Sequence, residues 1–124
     1  MQLYQNSKSD LDNIHQPGEG WVGDEALCIA IYCALRYQLD FSSGIIAAVN
    51  HKGDSDSTGA ITGNILGAWL GFDAIDDCWK KDLELYDVIL EMADDLCNGC
   101  QIDEYSSHED PDWVRKYCKA QWKA

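Results

Sequence analysis

The residues best suited to chemistry in this chain are two aspartates and a serine near its middle. Asp54 and Asp56 are separated by one residue, and the hydroxyl of Ser57 follows directly. When the backbone turns, two carboxylates with this spacing can converge on one cation, and hard cations such as Mg²⁺ prefer oxygen ligands. Three oxygens fill only half of an octahedral shell, so water, substrate or other residues must complete it. The pattern predicts that Asp54, Asp56 and Ser57 bind a divalent metal.

The same segment also has a purely structural interpretation. Asp and Ser are favoured at helix N-termini, so Asp54 to Ser57 is equally typical of a capping turn. A calcium-binding EF-hand loop is excluded, because Ile65 stands where that loop needs a bidentate glutamate. The glycine-rich helix that follows favours a ligand site over a simple cap.

That helix, predicted to begin near Thr58, carries an unusual stripe of glycines. Four of them recur at every fourth position, and residues four apart lie on one helix face: Gly59, Gly63, Gly67 and Gly71. Each costs about 1 kcal/mol of helix stability relative to alanine. We therefore expect another backbone, or a ligand, to pack closely along this face.

The remaining elements that position the motif are also helical by pattern, and the fold class is all-α. The sequence predicts one domain, a helical bundle, with a polar lead-in at 1–16, a core at 17–97, and a loop and C-terminal helix at 98–124. The predicted helices begin at an N-cap Asp24, at Ser42 or Ser43, near Thr58, near Lys80 and at Asp110. The first four end at Tyr37 to Asp40, at Asn50 to Gly53, near Gly71 and near Leu96.

Composition narrows the classes of function. The chain has 124 residues, is 46% hydrophobic and carries a formal charge of −13. An acidic surface repels phosphate backbones, so no nucleic-acid partner is expected. No apolar run is long enough to span a membrane, and residues 1–16 lack an apolar signal segment, so we expect a cytoplasmic protein.

The six cysteines are expected to be reduced thiols in that setting. Cys97 and Cys100 form a CxxC pair, which raises the possibility of zinc or redox chemistry. A structural zinc site needs four ligands, and no second pair accompanies this one. The competing interpretation, a helix that ends near Asn98 and Gly99 with two incidental cysteines, is favoured.

Three segments in the same order carry a resemblance to a known family. The run Gly53–Gly63 (G-D-S-D-S-T-G-A-I-T-G), continuing to Gly67 and Gly71, resembles the C-terminal signature of the ADP-ribosylglycohydrolases. Gly18–Leu27 and Ala47–Asn50 are similar to the same family, and the likeness covers roughly residues 15–80.

The resemblance implies an all-helical, metal-dependent enzyme that hydrolyses the glycosidic bond between ADP-ribose and a protein or small molecule. It implies Mg²⁺ or Mn²⁺ as cofactor, with Asp54, Asp56 and Ser57 as metal ligands. It also implies that ADP-ribose, or an ADP-ribosylated substrate, is bound by residues of the two glycine-containing loops: Gly18, Gly20, Gly53 and Ser55.

The chain departs from the family pattern in one respect. The Thr-Asp-Asp type motif and the catalytic acid of the family's N-terminal half have no counterpart here, so the catalytic residue is unknown. The paired acids Asp76-Asp77 and Asp94-Asp95 lack the motif's context and are interpreted as solvated. The chain is thus expected to hydrolyse substrate only with a complementary N-terminal half. The alternative is a non-catalytic metal- or nucleotide-binding module, or one that self-associates as a homo-oligomer.

Two side chains beside the motifs carry open alternatives. Trp21 follows the first glycine loop and would either stack on an adenine or, as we favour, fill the core. His51 precedes the aspartates and would either approach a phosphate or, as we favour, face solvent.

Overall fold

The computed structural model describes residues 7–99, 111 and 114–118, and these are helical with no strand among them. The α-helices are α1 (Asp10–Ile14), α2 (Gly23–Arg36), α3 (Phe41–Val49), α4 (Ser55–Leu70) and α5 (Tyr86–Cys97). Short 3-10 turns lie at Phe72–Ala74 and Asp77–Trp79, and a π-helical turn lies at Val114–Cys118. The predicted all-α class is confirmed.

The chain forms two compact units, Met1–Asp77 and Cys78–Ala124. The organisation predicted from the sequence, one domain with its core at residues 17–97, stays a prediction. In the first unit, α2, α3 and α4 all pack against one another. The segments that resemble the hydrolase signature lie in this unit up to Asp77.

The predicted N-caps of two helices were wrong. Helix α2 begins at Gly23, and Asp24 lies inside its first turn, because Val22 holds the extended capping conformation without a side-chain bond. Helix α3 begins at Phe41, because the Asp40 carboxylate accepts the Ser43 N–H at 2.9 Å. A carboxylate satisfies a free helical N–H and also interacts favourably with the helix dipole, so it outcompetes the neighbouring serine hydroxyls.

The prediction of a polar lead-in at residues 1–16 was also wrong in part, because helix α1 lies within that segment. Ser9 caps this helix, and Ile14 and Asn13 at its end are buried at 1% exposure. A polar network joins α1 to α2. Asp10 accepts 2.5 Å hydrogen bonds from the hydroxyls of Tyr32 and Tyr37, and Asn13 donates to Tyr32 at 3.1 Å. The amphipathic pattern of α1 is short, and the polar residues of that helix make its tertiary contacts, so the sequence did not reveal it.

The core of the first unit contains one cluster of buried residues, and a glycine lies where two of the helices meet. The members of this cluster are Ile14, Ile29, Tyr32, Cys33 and Ala48. Gly44 of α3 receives the Leu66 side chain of α4, and Leu66 is 1% exposed. A β-carbon at position 44 would collide with the Leu66 methyl, so glycine at this position sets how closely α3 and α4 approach.

The glycine stripe of α4 is a helix contact only in its first half. A β-carbon at Gly59 would lie 2.7 Å from Val49 Cγ1, and one at Gly63 would lie 3.5 Å from Ile45 Cδ1. Both partners belong to α3, so close packing along the stripe is confirmed there. Gly67 and Gly71 have no neighbour within 4 Å of the added carbon, and Gly71, with φ +83°, ends the helix.

The burial of Tyr32 and Cys33 makes the free energy of unfolding sensitive to high pH. Burial, followed by the bond to Asp10, raises the pKa of Tyr32 to about 12, and burial raises the pKa of Cys33 to about 12. The folded state therefore binds these protons more tightly than the unfolded chain. Their contribution to the free energy of unfolding is complete below the unfolded pKa values, about 9 for Cys33 and 10 for Tyr32, and is lost as pH rises through about 12.

We expect the free energy of unfolding to fall by about 1 kcal/mol per pH unit for each of these groups in that window. Urea unfolding at several pH values above neutrality measures the slope. Tyr32→Phe, which has no phenolic proton, should flatten the slope above pH 10. Equal slopes for the variant and the wild type would contradict the assignment.

The second unit contains α5, whose predicted start was wrong. The helix begins at Tyr86 rather than near Lys80, because Leu85 takes a left-handed φ of 57°. Its end agrees with the sequence: the last helical residue is Cys97, and Gly99 follows with φ +75°. Cys100 and most of the predicted C-terminal helix lie outside the described residues. In the described turn, Lys116 pairs with Glu91 at 2.8 Å and Asp95 at 2.5 Å.

Within the described ranges, no helix combines the length and the apolar character needed to cross a membrane.

Candidate metal centre

The Asp-Ser-Asp-Ser motif is the start of α4 rather than a loop that precedes it. Asp54 is the N-cap, with Oδ1 3.4 Å from the Ser57 backbone N, and Ser55 is the first helical residue. The predicted helix start near Thr58 was therefore three residues late. The capping interpretation of the motif is confirmed for Asp54, and the metal interpretation of the same residue stays a prediction.

The first turn brings the three predicted ligands together. The Asp54 carboxylate interacts with the Asp56 side chain and with the hydroxyl and backbone N–H of Ser57. These contacts, Asp56 first, lower the pKa of Asp54. Asp54 and Ser57 are half-buried, and Asp56 is exposed. Two carboxylates and a hydroxyl are the oxygen ligands that hard divalent cations prefer, so the donor set fits such an ion.

The described residues do not supply a larger set of metal ligands. Among them, no group of three or more His, Cys, Asp or Glu side chains is placed to hold a metal. The candidate centre therefore consists of two carboxylates and one hydroxyl. Its remaining coordination positions must be filled from outside this set.

The first glycine loop packs directly against the motif. The Asp54 backbone N–H donates to the Glu19 carbonyl oxygen at 2.8 Å. A β-carbon on Gly53 would lie 2.5 Å from the Glu19 carbonyl carbon and closer still to its oxygen. Gly20, with φ +83°, would meet Thr58 Cγ2 at 3.1 Å. Two segments more than 30 residues apart in the sequence thus lie against each other, and the glycines allow this close approach.

Glu25 holds the glycine loop from the other side. Its Oε2 accepts the backbone N–H groups of Glu19 at 3.2 Å and Gly20 at 3.0 Å. Glu25 lies in the first turn of α2, where a carboxylate that bonds back to preceding amides also suits the helix dipole. The loop is therefore held by its own chain through contacts that involve no ligand.

His51 was wrongly placed by both sequence interpretations, because it neither faces solvent nor is free to bind phosphate. Its Nδ1 accepts the Gly53 N–H at 3.1 Å, and its Nε2 lies 2.9 Å from Thr58 Oγ1. Both ring nitrogens are used within the chain. The signal in the sequence for these contacts was the spacing of His51 and Thr58, which lie on either side of the residue where α4 begins.

Trp21 was predicted to fill the core, and that prediction was wrong. The side chain is 67% exposed, and its Nε1 donates to Glu19 Oε2 at 3.1 Å. It stands next to the loop that contacts Asp54, so an apolar ring is presented to solvent at the edge of the candidate centre.

The four residues predicted to bind substrate are placed as follows. Gly18, Gly20 and Gly53 lie in the two joined loops, and Ser55 is the first residue of α4. The glycines have packing roles of their own, so their role toward substrate stays a prediction. Sequence reasoning missed Glu25 and Thr58, and it considered His51 without predicting its contacts; all three hold these loops through hydrogen bonds.

Comparison with known proteins decides the family. The ADP-ribosylglycohydrolase family model matches residues 2–105, most of the chain. The chain belongs to the ADP-ribosylglycohydrolase family. Within this family, it is similar to ADP-ribosylhydrolase ARH1 of Dictyostelium discoideum, with 35% identity over 82 residues. That alignment covers 64% of this chain and 21% of the relative, so the chain spans about a fifth of the relative's length. No solved structure matches it.

Proposed function

We propose that this chain is the metal-binding part of an ADP-ribosylglycohydrolase, in which Asp54, Asp56 and Ser57 hold Mg²⁺ or Mn²⁺. The single observation that carries the proposal is that the Asp54 carboxylate interacts with the side chains of both Asp56 and Ser57 at the N-terminus of α4. A capping turn alone needs only Asp54. The second carboxylate makes no capping bond, and a bound cation would give its placement beside Asp54 a reason.

The proposed substrate is ADP-ribose joined by a glycosidic bond to a protein or small molecule. Family membership supports this choice, and the printed name of the relative, an ADP-ribosylhydrolase, agrees with it. The chain carries a formal charge of −13, so a diphosphate ligand must be offset by positive charge. A bound divalent cation would supply that charge and would polarise the ribose near the bond to be cleaved.

The chain's own residues have defined parts in this proposal. Asp54, Asp56 and Ser57 bind the cation. The joined loops at Gly18–Gly20 and Gly53 form the surface nearest to it, and the exposed ring of Trp21 at their edge is suited to stack on a base or ribose. The group that activates water is not assigned among the described residues. We propose that a complementary segment supplies it.

The experiment titrates the full chain with Mn²⁺ by calorimetry and then assays release of ADP-ribose from an ADP-ribosylated protein. We expect saturable Mn²⁺ binding that Asp54→Ala and Asp56→Ala each weaken at least about tenfold. Asp94→Ala is the matched control, since Asp94 is an exposed helical aspartate in the other unit, and it should leave binding unchanged. Wild-type chain that binds no Mn²⁺ would sink the proposal.

One observation favours the alternative of a non-catalytic, self-associating module. An apolar groove of about 500 Å³ lies between α2 and α4, lined by residues that include Leu35, Ile65 and Trp69. Trp69 is 70% exposed, and exposed apolar patches commonly mark interfaces. Mn²⁺ binding without ADP-ribose release, together with a mass that rises with concentration in sedimentation equilibrium, would support this alternative. A monomer at every concentration would exclude it.

A further inference from the structure

The imidazole of His51 connects three parts of the first unit. With Nδ1 accepting the Gly53 N–H, the ring proton lies on Nε2 and is donated to Thr58 Oγ1. The Thr58 hydroxyl in turn donates to the carbonyl oxygen of Ala48 at 2.7 Å. The last turn of α3, the turn before Asp54 and the first turn of α4 are thus linked through this one imidazole.

The connection is partly buried, so its loss is costly. Thr58 is fully buried at 0% exposure, and His51 is half-buried. Without His51, Thr58 still has the Ala48 carbonyl as an acceptor, so the helix contact survives. The Gly53 N–H would lose its hydrogen-bond acceptor, and the turn that contains Gly53 would lose its fixed shape. The effect of His51 is therefore concentrated on the residue that immediately precedes the first aspartate.

We propose that His51 is the positioning residue of the candidate metal centre: it holds Gly53, and thereby the Asp54 carboxylate, in the arrangement that binds the cation. His51 does not touch the cation, because both ring nitrogens are occupied within the chain. The assignment rests on the proposed metal site, which the wild-type titration tests separately. It adds a residue outside the acidic motif to the determinants of metal affinity.

The test compares Mn²⁺ affinity among four forms of the full chain: wild type, His51→Ala, His51→Asn and His51→Gln. The Asn amide oxygen takes the place of Nδ1 and can accept from Gly53, whereas the Gln amide nitrogen reaches the place of Nε2 and can donate to Thr58. We expect His51→Ala to weaken Mn²⁺ binding about tenfold. His51→Asn should restore most of the affinity and His51→Gln less. His15→Ala, an exposed histidine beside α1, is the matched control.

The metal-free melting temperature separates positioning from folding. The variants His51→Ala and His51→Gln lack the contact with Gly53, and His51→Asn lacks the contact with Thr58. Metal affinity depends on the Gly53 contact and folding depends on both, so the two orders of the variants differ. Recovery of affinity by Asn, with the electron paramagnetic resonance spectrum of bound Mn²⁺ returning to that of wild type, supports the proposal. Wild-type affinity in His51→Ala, or equal loss in all three variants, overturns it. Absence of Mn²⁺ binding by the wild type overturns the metal site and this inference with it.

Discussion

Gly53→Ala should reduce Mn²⁺ affinity by about a hundredfold or more, because it forces apart the two loops that form the candidate centre. The added β-carbon would lie 2.5 Å from the Glu19 carbonyl carbon and 2.9 Å from its Cα. These are backbone atoms, which cannot rotate away as a side chain does. The loop must shift, and the hydrogen bond from Asp54 N–H to Glu19 would be lost. Overpacking of this kind also costs about 1–3 kcal/mol of stability.

The matched control for this prediction is Gly67→Ala on α4. A β-carbon there meets nothing within 4 Å, and the residue is inside a regular helix. Alanine should therefore raise the free energy of unfolding by about 1 kcal/mol and leave Mn²⁺ affinity unchanged. Calorimetric titration and urea unfolding of both variants give the comparison. If Gly53→Ala kept its Mn²⁺ affinity, the joined loops would have no part in the metal site.

Leu66→Ala should lower the free energy of unfolding by about 3 kcal/mol, the largest stability change expected for a single side chain here. Leu66 is 1% exposed, and its methyl fills the space that Gly44 leaves on α3. Truncation removes that contact and leaves a cavity between the two helices that carry the site. Leu39→Ala, at a position that is 84% exposed, is the matched control and should change stability little.

A double-mutant cycle tests whether Gly44 and Leu66 act as a pair. Gly44→Ala alone introduces a collision with the Leu66 methyl and should destabilise the protein by about 1–3 kcal/mol. In the Leu66→Ala background the new β-carbon enters the vacated space. We expect the double variant to be more stable than the sum of the single effects by about 1 kcal/mol or more. Strict additivity in urea unfolding would show that the two positions do not contact each other in solution.

Most of the helical segments were predictable from local pattern, and most of their starts were not. The apolar run of α2 and the glycine ending of α5 gave correct elements. The start of α3 depends on Asp40 rather than Ser42 or Ser43. Helix α1 was missed because its Asp10 and Asn13 owe their places to Tyr32 on α2 and to Tyr37 at the end of α2. Capping is decided by which nearby oxygen reaches the free N–H groups, and that depends on three-dimensional geometry.

The placement of aromatic side chains shows the same limit. Trp21 reads as core material by composition, yet it is 67% exposed beside the glycine loop. The hydrophobicity of a side chain indicates how much free energy its burial would yield. It does not indicate whether the fold provides a place for the ring. Tyr32, by contrast, is 3% exposed, with its hydroxyl satisfied by Asp10. Both side chains have a polar partner, so the difference comes from their places in the fold: Tyr32 lies on α2 in the core cluster, and Trp21 lies in the loop before that helix.

The sequence by itself determined the helical class, the family resemblance and the three side chains of the candidate centre, because these follow from periodicity and from the spacing of neighbouring residues. Only the tertiary structure decided that Glu19 bonds to Asp54, that Glu25 holds the first loop and that His51 bridges Gly53 and Thr58. Such contacts join segments far apart in the chain, and their energies depend on distances of a few ångströms set by helix packing. No local pattern in the sequence encodes those distances.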